Sequence, residues 1–288
     1  MKKLTSLFAA FGSLALFTSI ASAESSVWKV ESEGNTVYFG GTMHLLKKED
    51  FPLPKEFEEA YKVSDSLVFE TDMEKLNDPA LQMTMLQMSM LKGTTVDKLL
   101  SEETYAALST QCQKAGIPIG AINNMKPAMI LLTLTMIEYT NLGYTEKGVD
   151  DFMEKKAKAD NKSRGQLETA ESQLKIITSL GEGDEEAFVK ASLKDISIMP
   201  EATEALFQAW KTGDVNYLNE EVIIRMKKEM PKVYDALLTK RNNAWMPQVE
   251  EFFKSPETEF VLVGALHLAG EDGLIEQLEK KGYTVEKL

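Results

Sequence analysis

The spacing of hydrophobic positions changes several times along the chain, and each change predicts an element. Ser26–Glu31 alternates around Val27, Trp28 and Val30, and Thr36–Gly40 is β-branched and aromatic. With Gly34-Asn35 as the turn, the two read as paired strands. After a loop holding Pro52 and Pro54, Lys55–Val63 has helical spacing and Ser66–Glu70 is apolar enough for a buried strand. From about residue 77 to 154 apolar residues recur three and four apart, with breaks near Gly93, Gly116–Gly120 and Gly143. Gln166–Glu168 closes a short strand. Thr169–Leu180, Ala187–Trp210 and Asn219–Glu229 are helical, Pro231 opens a helix, and Val233–Phe253 keeps the period with a kink at Pro247. Phe260–Val263 is a buried strand, Gly273–Lys281 a helix and Tyr283–Leu288 a last strand.

The two ends of the chain repeat one another. Val37–Leu45 is a strand running into Gly41-Thr42-Met43-His44-Leu45, and Val261–Leu268 is a strand running into Gly264-Ala265-Leu266-His267-Leu268. An acidic turn follows each, Glu49-Asp50 and Glu271-Asp272, and then an amphipathic helix and a strand. Two related β-loop-α-β units predict an α/β fold with a mixed sheet and a large helical insertion between them, about residues 77–229. Both Gly-x-x-His loops then fall at the carboxyl edge of the sheet, where open α/β sheets bind ligands.

Residues 1–23 read as a cleaved export signal: Lys2 and Lys3, an apolar stretch from Leu7 to Ile20, and Ala21-Ser22-Ala23 as the cleavage site. Residues 24–288 then form a single exported domain, periplasmic or secreted. The apolar run Ala128–Ile137 is too short to span a bilayer and ends at Glu138, so it predicts a buried helix and no stable membrane anchor after cleavage. The net charge of −13, with no basic stripe, makes nucleic acid a poor partner. The single cysteine, Cys112, excludes an internal disulfide and any Cys-rich metal cluster, and no histidine is left over to activate it.

The chain has only two histidines, His44 and His267, and both occupy the same place in the same motif. Either ring alone would read as a structural residue; as a pair they point to one shared site, active or metal-binding. A carboxylate must complete such a site. Glu70 stands at the end of the Ser66–Phe69 strand and Glu168 at the end of the next, with capping or pairing to a base as the plain alternative. Asp72 and Glu171 read as helix-start or surface acids. Arg241, within a helix, is a solvated charge, a clamp on a carboxylate or a stabiliser of an oxyanion.

At these residues the sequence resembles the TraB/GumN family, which includes the TIKI metalloproteases. The match includes Gly41–His44 with Pro52-Leu53-Pro54, Leu67–Asp72, Gly148-Val149-Asp150, Leu167-Glu168-Thr169 with Gln173, Arg241-Asn242 with Trp245, and Gly264–Leu274. Asn161–Gln166 departs from the family's Lys-Pro-apolar lead into the middle acid. The resemblance implies an erythromycin-esterase-like fold and a metal-dependent peptidase activated by Mn or Co, with Zn as a further option. It assigns His44, His267 and Glu70 to the metal, and Glu70, Glu168 and Arg241 to catalysis. The expected substrate is a peptide or a small-molecule ester or amide. Metal-free hydrolysis by His and Glu is one alternative. A non-enzymatic peptide- or metal-binding protein is another, with the cluster Met83, Met85, Met88 and Met90 read chiefly as core or lid packing.

Overall fold

The computed structural model describes residues 25–288; the expected export signal, residues 1–23, lies outside them. β1 (Val27–Ser32) and β2 (Asn35–Thr42) form the opening hairpin. Its turn is Glu33-Gly34, both at positive φ (51° and 90°), one residue earlier than Gly34-Asn35 suggested. Asn35 instead begins β2 and donates its side-chain amide to Phe253 O at 2.7 Å. The remaining strands are β3 (Leu45–Leu46), β4 (Ser66–Phe69), β5 (Glu146–Lys147), β6 (Ser163–Gln166), β7 (Glu259–Gly264) and β8 (Thr284–Lys287).

Six of them make one mixed sheet in the order β6-β4-β7-β2-β1-β8, in which β6, β4, β7 and β2 run parallel. β3 and β5 form a separate antiparallel ribbon. The two related units interleave. The first crosses from β2 through the helix Lys55–Val63 to β4, passing β7; the second crosses from β7 through Leu274–Lys280 to β8, passing β2 and β1.

β7 shows why this sheet is covered on both faces. Phe260, Val261, Leu262 and Val263 are all fully buried, and strand geometry sends alternate residues to opposite sides. Phe260 and Leu262 pack with Phe57, Tyr61, Met153 and Trp210. Val261 and Val263 pack with Trp245, Val249, Leu274 and Leu278. A third cluster, including Leu108, Leu131, Leu134, Phe188 and Ile196, lies wholly among the helices.

Three expectations shift. The middle strand is Ser163–Gln166, so Glu168 stands beyond its end, and the strand joins the sheet from inside the predicted helical insertion. Its sequence Ser-Arg-Gly-Gln is exposed throughout, an edge strand with no apolar run to betray it. The methionine segment is not core: Met83 is exposed and Met85 only borders a small cluster around Leu81, Ala170 and Leu174. The helix Pro127–Asn141 buries Ala128–Leu131 and Leu134 as expected, yet leaves Leu132 and Met136 37% and 36% exposed. Among the described residues no helix is long and apolar enough to cross a membrane.

Trp210 ties the helical region to the end of β2. Its indole N–H donates to Gly41 O at 2.7 Å, and its own carbonyl accepts from Ser26 Oγ at 2.7 Å. Trp210→Phe leaves the buried Gly41 carbonyl without its indole donor and a small void where the second ring packed, so unfolding in urea should show a loss of about 2–4 kcal/mol at unchanged m-value.

Candidate active site

Parallel register assembles the site. Gly41 pairs with Val263 and Thr42 with Gly264 across β2 and β7, and Phe69 of β4 lies between Leu262 of β7 and Gln166 of β6. His44, Glu70, Glu168 and His267 all follow these strand ends, so one edge of the sheet carries four of the predicted residues. The two Gly-x-x-His loops touch through glycine. A β-carbon on Gly41 would stand 3.1 Å from Ala265 Cα. One on Gly264 would stand 3.2 Å from Glu70 Oε1, 3.6 Å from His267 Cδ2 and 3.9 Å from His44 Nε2. Neither glycine is at positive φ; each is small because its neighbours come close.

Arg241 joins the buried groups. Its Nη2 donates to Glu70 Oε2 at 2.6 Å and to Glu168 Oε1 at 2.7 Å, and its Nε donates to Glu168 Oε1 at 3.1 Å. Its Nη1 donates to Leu237 O at 3.2 Å and to His267 Nε2 at 2.9 Å. All five guanidinium N–H groups are therefore engaged. The Leu237 carbonyl is in reach because the helix widens into a π-helical turn over Asp235–Thr239 just before Arg241. The guanidinium carbon lies 4.6 Å from the centroid of Trp245, whose ring is 4.6 Å from that of His267.

The surrounding bonds fix each partner. Glu70 Oε1 accepts from Gly264 N at 2.7 Å, and Oε2 accepts from Gln173 Nε2 at 2.9 Å. Asn242 Nδ2 donates to the carbonyls of His267 and Asp272, at 3.2 and 2.8 Å, which leaves its Oδ1 to accept from His267 Nδ1 at 2.6 Å. His267 is thus the Nδ1–H tautomer, with its Nε2 lone pair pointed at Arg241.

His44 is held differently. Its Nδ1 donates to Asp150 Oδ2 at 2.9 Å, while Asp150 Oδ1 accepts from Thr42 Oγ1 at 2.9 Å. Asp150 is brought there by backbone docking: the β3–β5 ribbon, then Gly148 N to His44 O and Val149 N to Met43 O, each 3.0 Å. A β-carbon on Gly148 would collide with the backbone of Met43 and His44. The ring itself is 70% exposed, although Asp150 beneath it is buried.

Charge follows this split. Burial, then the Arg241 charge, pushes His267 down to about 3, so it is neutral. Burial opposes ionisation of Glu70, but with His267 neutral the Arg241 guanidinium and the Gly264 N–H still hold its carboxyl below the usual carboxylate range. Burial raises Glu168, with the Glu70 charge adding and Arg241 opposing. The Asp150 charge leads in raising His44, to about 9, and water around the exposed ring screens that pair.

Sequence reasoning expected His44 and His267 to share a site with a strand-end acid, Glu70 or Glu168, and left Arg241 open between a solvated charge and a site residue; the structure brings all five together. Asp72 instead caps the chain, accepting from Glu74 N and Lys75 N. Cys112 is buried with its thiol pushed up by desolvation. Asp150, Gln173 and Asn242 carried no role in the sequence. Asp150 looks like an ordinary acid in the first turn of a helix.

The donor set does not suit a divalent cation as it stands. Among the described residues no group of three His, Cys, Asp or Glu side chains is arranged to hold one. Both nitrogens of His267 are engaged, both Glu70 oxygens face N–H donors, and a permanent positive charge lies between them. His44 Nε2 alone faces the cavity without a partner in the network, and one imidazole is not a metal site.

Removing the clamp leaves two buried carboxylates beside each other with no counter-charge. Arg241→Met should cost about 3–5 kcal/mol in urea unfolding, and adding Glu168→Gln should recover part of that loss, because one of the two charges is then gone.

Comparison with known proteins finds relatives over most of the chain. The chain is 25% identical over 240 residues to the uncharacterized protein YbaP of Escherichia coli K12, covering 83% of this chain and 86% of that protein. It shows the same identity and coverage against YbaP of Shigella flexneri. No solved structure matches. The TraB/PrgY/gumN family profile matches residues 26–287, a span that takes in both Gly-x-x-His loops, the acids of the middle strands and the arginine that joins them, and the chain belongs to that family.

Proposed function

We propose that this protein is a hydrolase of ester or amide bonds in which His44, backed by Asp150, is the general base. One observation carries the reading: His44 has Nδ1 tied to a buried carboxylate and Nε2 open to a cavity, beside a Glu70 held ionised. A His-Asp pair of this kind fixes the tautomer that presents Nε2 as base and stabilises the imidazolium formed during the reaction. In this reading the attacking water takes the space beside Gly264, between His44 Nε2 and Glu70 Oε1, that the absent side chain leaves. Its oxygen attacks the substrate carbonyl carbon, its proton passes to Nε2, and Nε2 then returns that proton to the leaving oxygen or nitrogen. Arg241 has no N–H left for the oxyanion, so it is a positioning residue that holds Glu70 and His267 in place. The leader pattern at residues 1–23 supports a periplasmic or secreted place of action.

A metal-dependent peptidase is the second reading. It is favoured by the convergence of His44, His267 and Glu70 around Gly264, and it requires Arg241 to leave His267. Elemental analysis combined with chelation separates the two. Activity surviving EDTA in protein without bound metal supports the first reading. Activity lost to EDTA and restored by Mn, Co or Zn, with metal binding lost in His267→Ala, supports the second.

A base must be unprotonated, so hydrolysis of a chromogenic ester should rise with pH along a limb set by His44, between its ordinary 6.5 and about 9. Asp150→Asn removes the charge that raises the ring and should move the limb towards 6.5. His44→Ala should lower kcat by about 10²–10⁴ in protein that circular dichroism shows to be folded. A flat pH profile, or full activity in His44→Ala, rejects the base.

A further inference from the structure

We infer that the substrate is an acyl ester or amide with a straight aliphatic chain, and that the helical region provides the slot for that chain. The inference rests on the hydrolase reading for the carbonyl, and on a separate observation for the chain. The cavity above the sheet edge measures about 380 Å³; its charged lining is confined to His44, Glu70, Arg241 and His267 at one end, and Thr135 and Tyr139 add hydroxyl-bearing side chains along the helical wall. Away from that end it is walled by Leu132, Met136, Leu206, Met226, Leu237 and Leu266. These come from the helix Pro127–Asn141, the helix Glu185–Lys211, the segment 218–239 and the second Gly-x-x-His loop.

The chemistry of the wall selects the ligand. No charged group outside the polar end lines the cavity, so an acidic or basic peptide side chain would lose its hydration without gaining a partner. The lining is dominated by leucine and methionine, flexible side chains that adapt to a flexible chain. An apolar pocket with a few convergent polar groups suits a ligand with one polar head and an apolar body. Leu132 and Met136, one helical turn apart, stay more than a third exposed where this cavity opens, although their helix has buried Ile130, Leu131 and Leu134 on its other side. A chain whose carbonyl lies beside Gly264 would run past these residues.

Two series test this on the full mature protein. In the first, kcat/KM is measured for p-nitrophenyl esters of straight acids from acetyl to dodecanoyl. It should rise about fourfold for each methylene accommodated, then level off when the cavity is full. In the second, calorimetry follows binding of methyl ketones of the same lengths, which present a carbonyl and cannot be hydrolysed; affinity should climb in parallel. The Leu132→Asp/Met136→Asp variant changes two partly exposed positions and should flatten both series. Ketone affinity that grows with length while no ester is cleaved supports the slot and rejects the hydrolase. Cleavage whose rate and ketone affinity are both independent of chain length overturns the slot and leaves the hydrolase standing.

Discussion

A single guanidinium holds the carboxyl edge of this sheet together. Glu70 and Glu168 leave neighbouring parallel strands and are both nearly buried, so their charges would repel and their desolvation would go uncompensated without a cation between them. Arg241 answers both with one nitrogen, reaches His267 and Leu237 with another, and stacks on Trp245. A lysine could not do this: its three donors radiate from a point, whereas a planar fork reaches several acceptors at once and lies flat on an indole. The clamp also fixes His267 as a neutral ring.

Two kinds of residue therefore share the site. Glu70, Glu168, His267 and Arg241 form a buried network in which nearly every polar atom has a partner. His44 stands outside that network, exposed, with Asp150 behind it and an open nitrogen in front. Rigidity belongs to the first group and proton exchange to the second. The glycines of the two loops let these parts approach: a β-carbon at 264 would press on Glu70 and touch both rings.

The helical region closes the design. It sends Trp210 to the end of β2 and Arg241 to the end of β4, and it walls the cavity with leucine and methionine. Its helices pack against each other through their own apolar cluster, so they can shape a cavity over the sheet without being threaded through it.

Much of this was legible in the chain. The repeated Gly-x-x-His units, the α/β class and the strand-end acids are local patterns, because strand periodicity and the residue at a strand's end are set within a few positions. The meeting of His44 with His267 followed from the repeat itself: identical units in one parallel sheet present their loops at the same edge. Ser163–Gln166 was misplaced because an exposed edge strand needs no apolar run; its neighbour β4 supplies its pairing. Asp150 stood in the Gly148-Val149-Asp150 motif with no role, because only the docking of the segment 146–149 onto the loop after β2 carries it under His44. Whether Arg241 was a surface charge, a clamp or an oxyanion donor could not be read from its helix, since donor occupancy depends on which acceptors other strands deliver. Sequence determined which groups stand at the sheet edge, because those are short-range facts; tertiary structure decided which lone pairs stay open, because that depends on partners drawn from segments far apart in the chain.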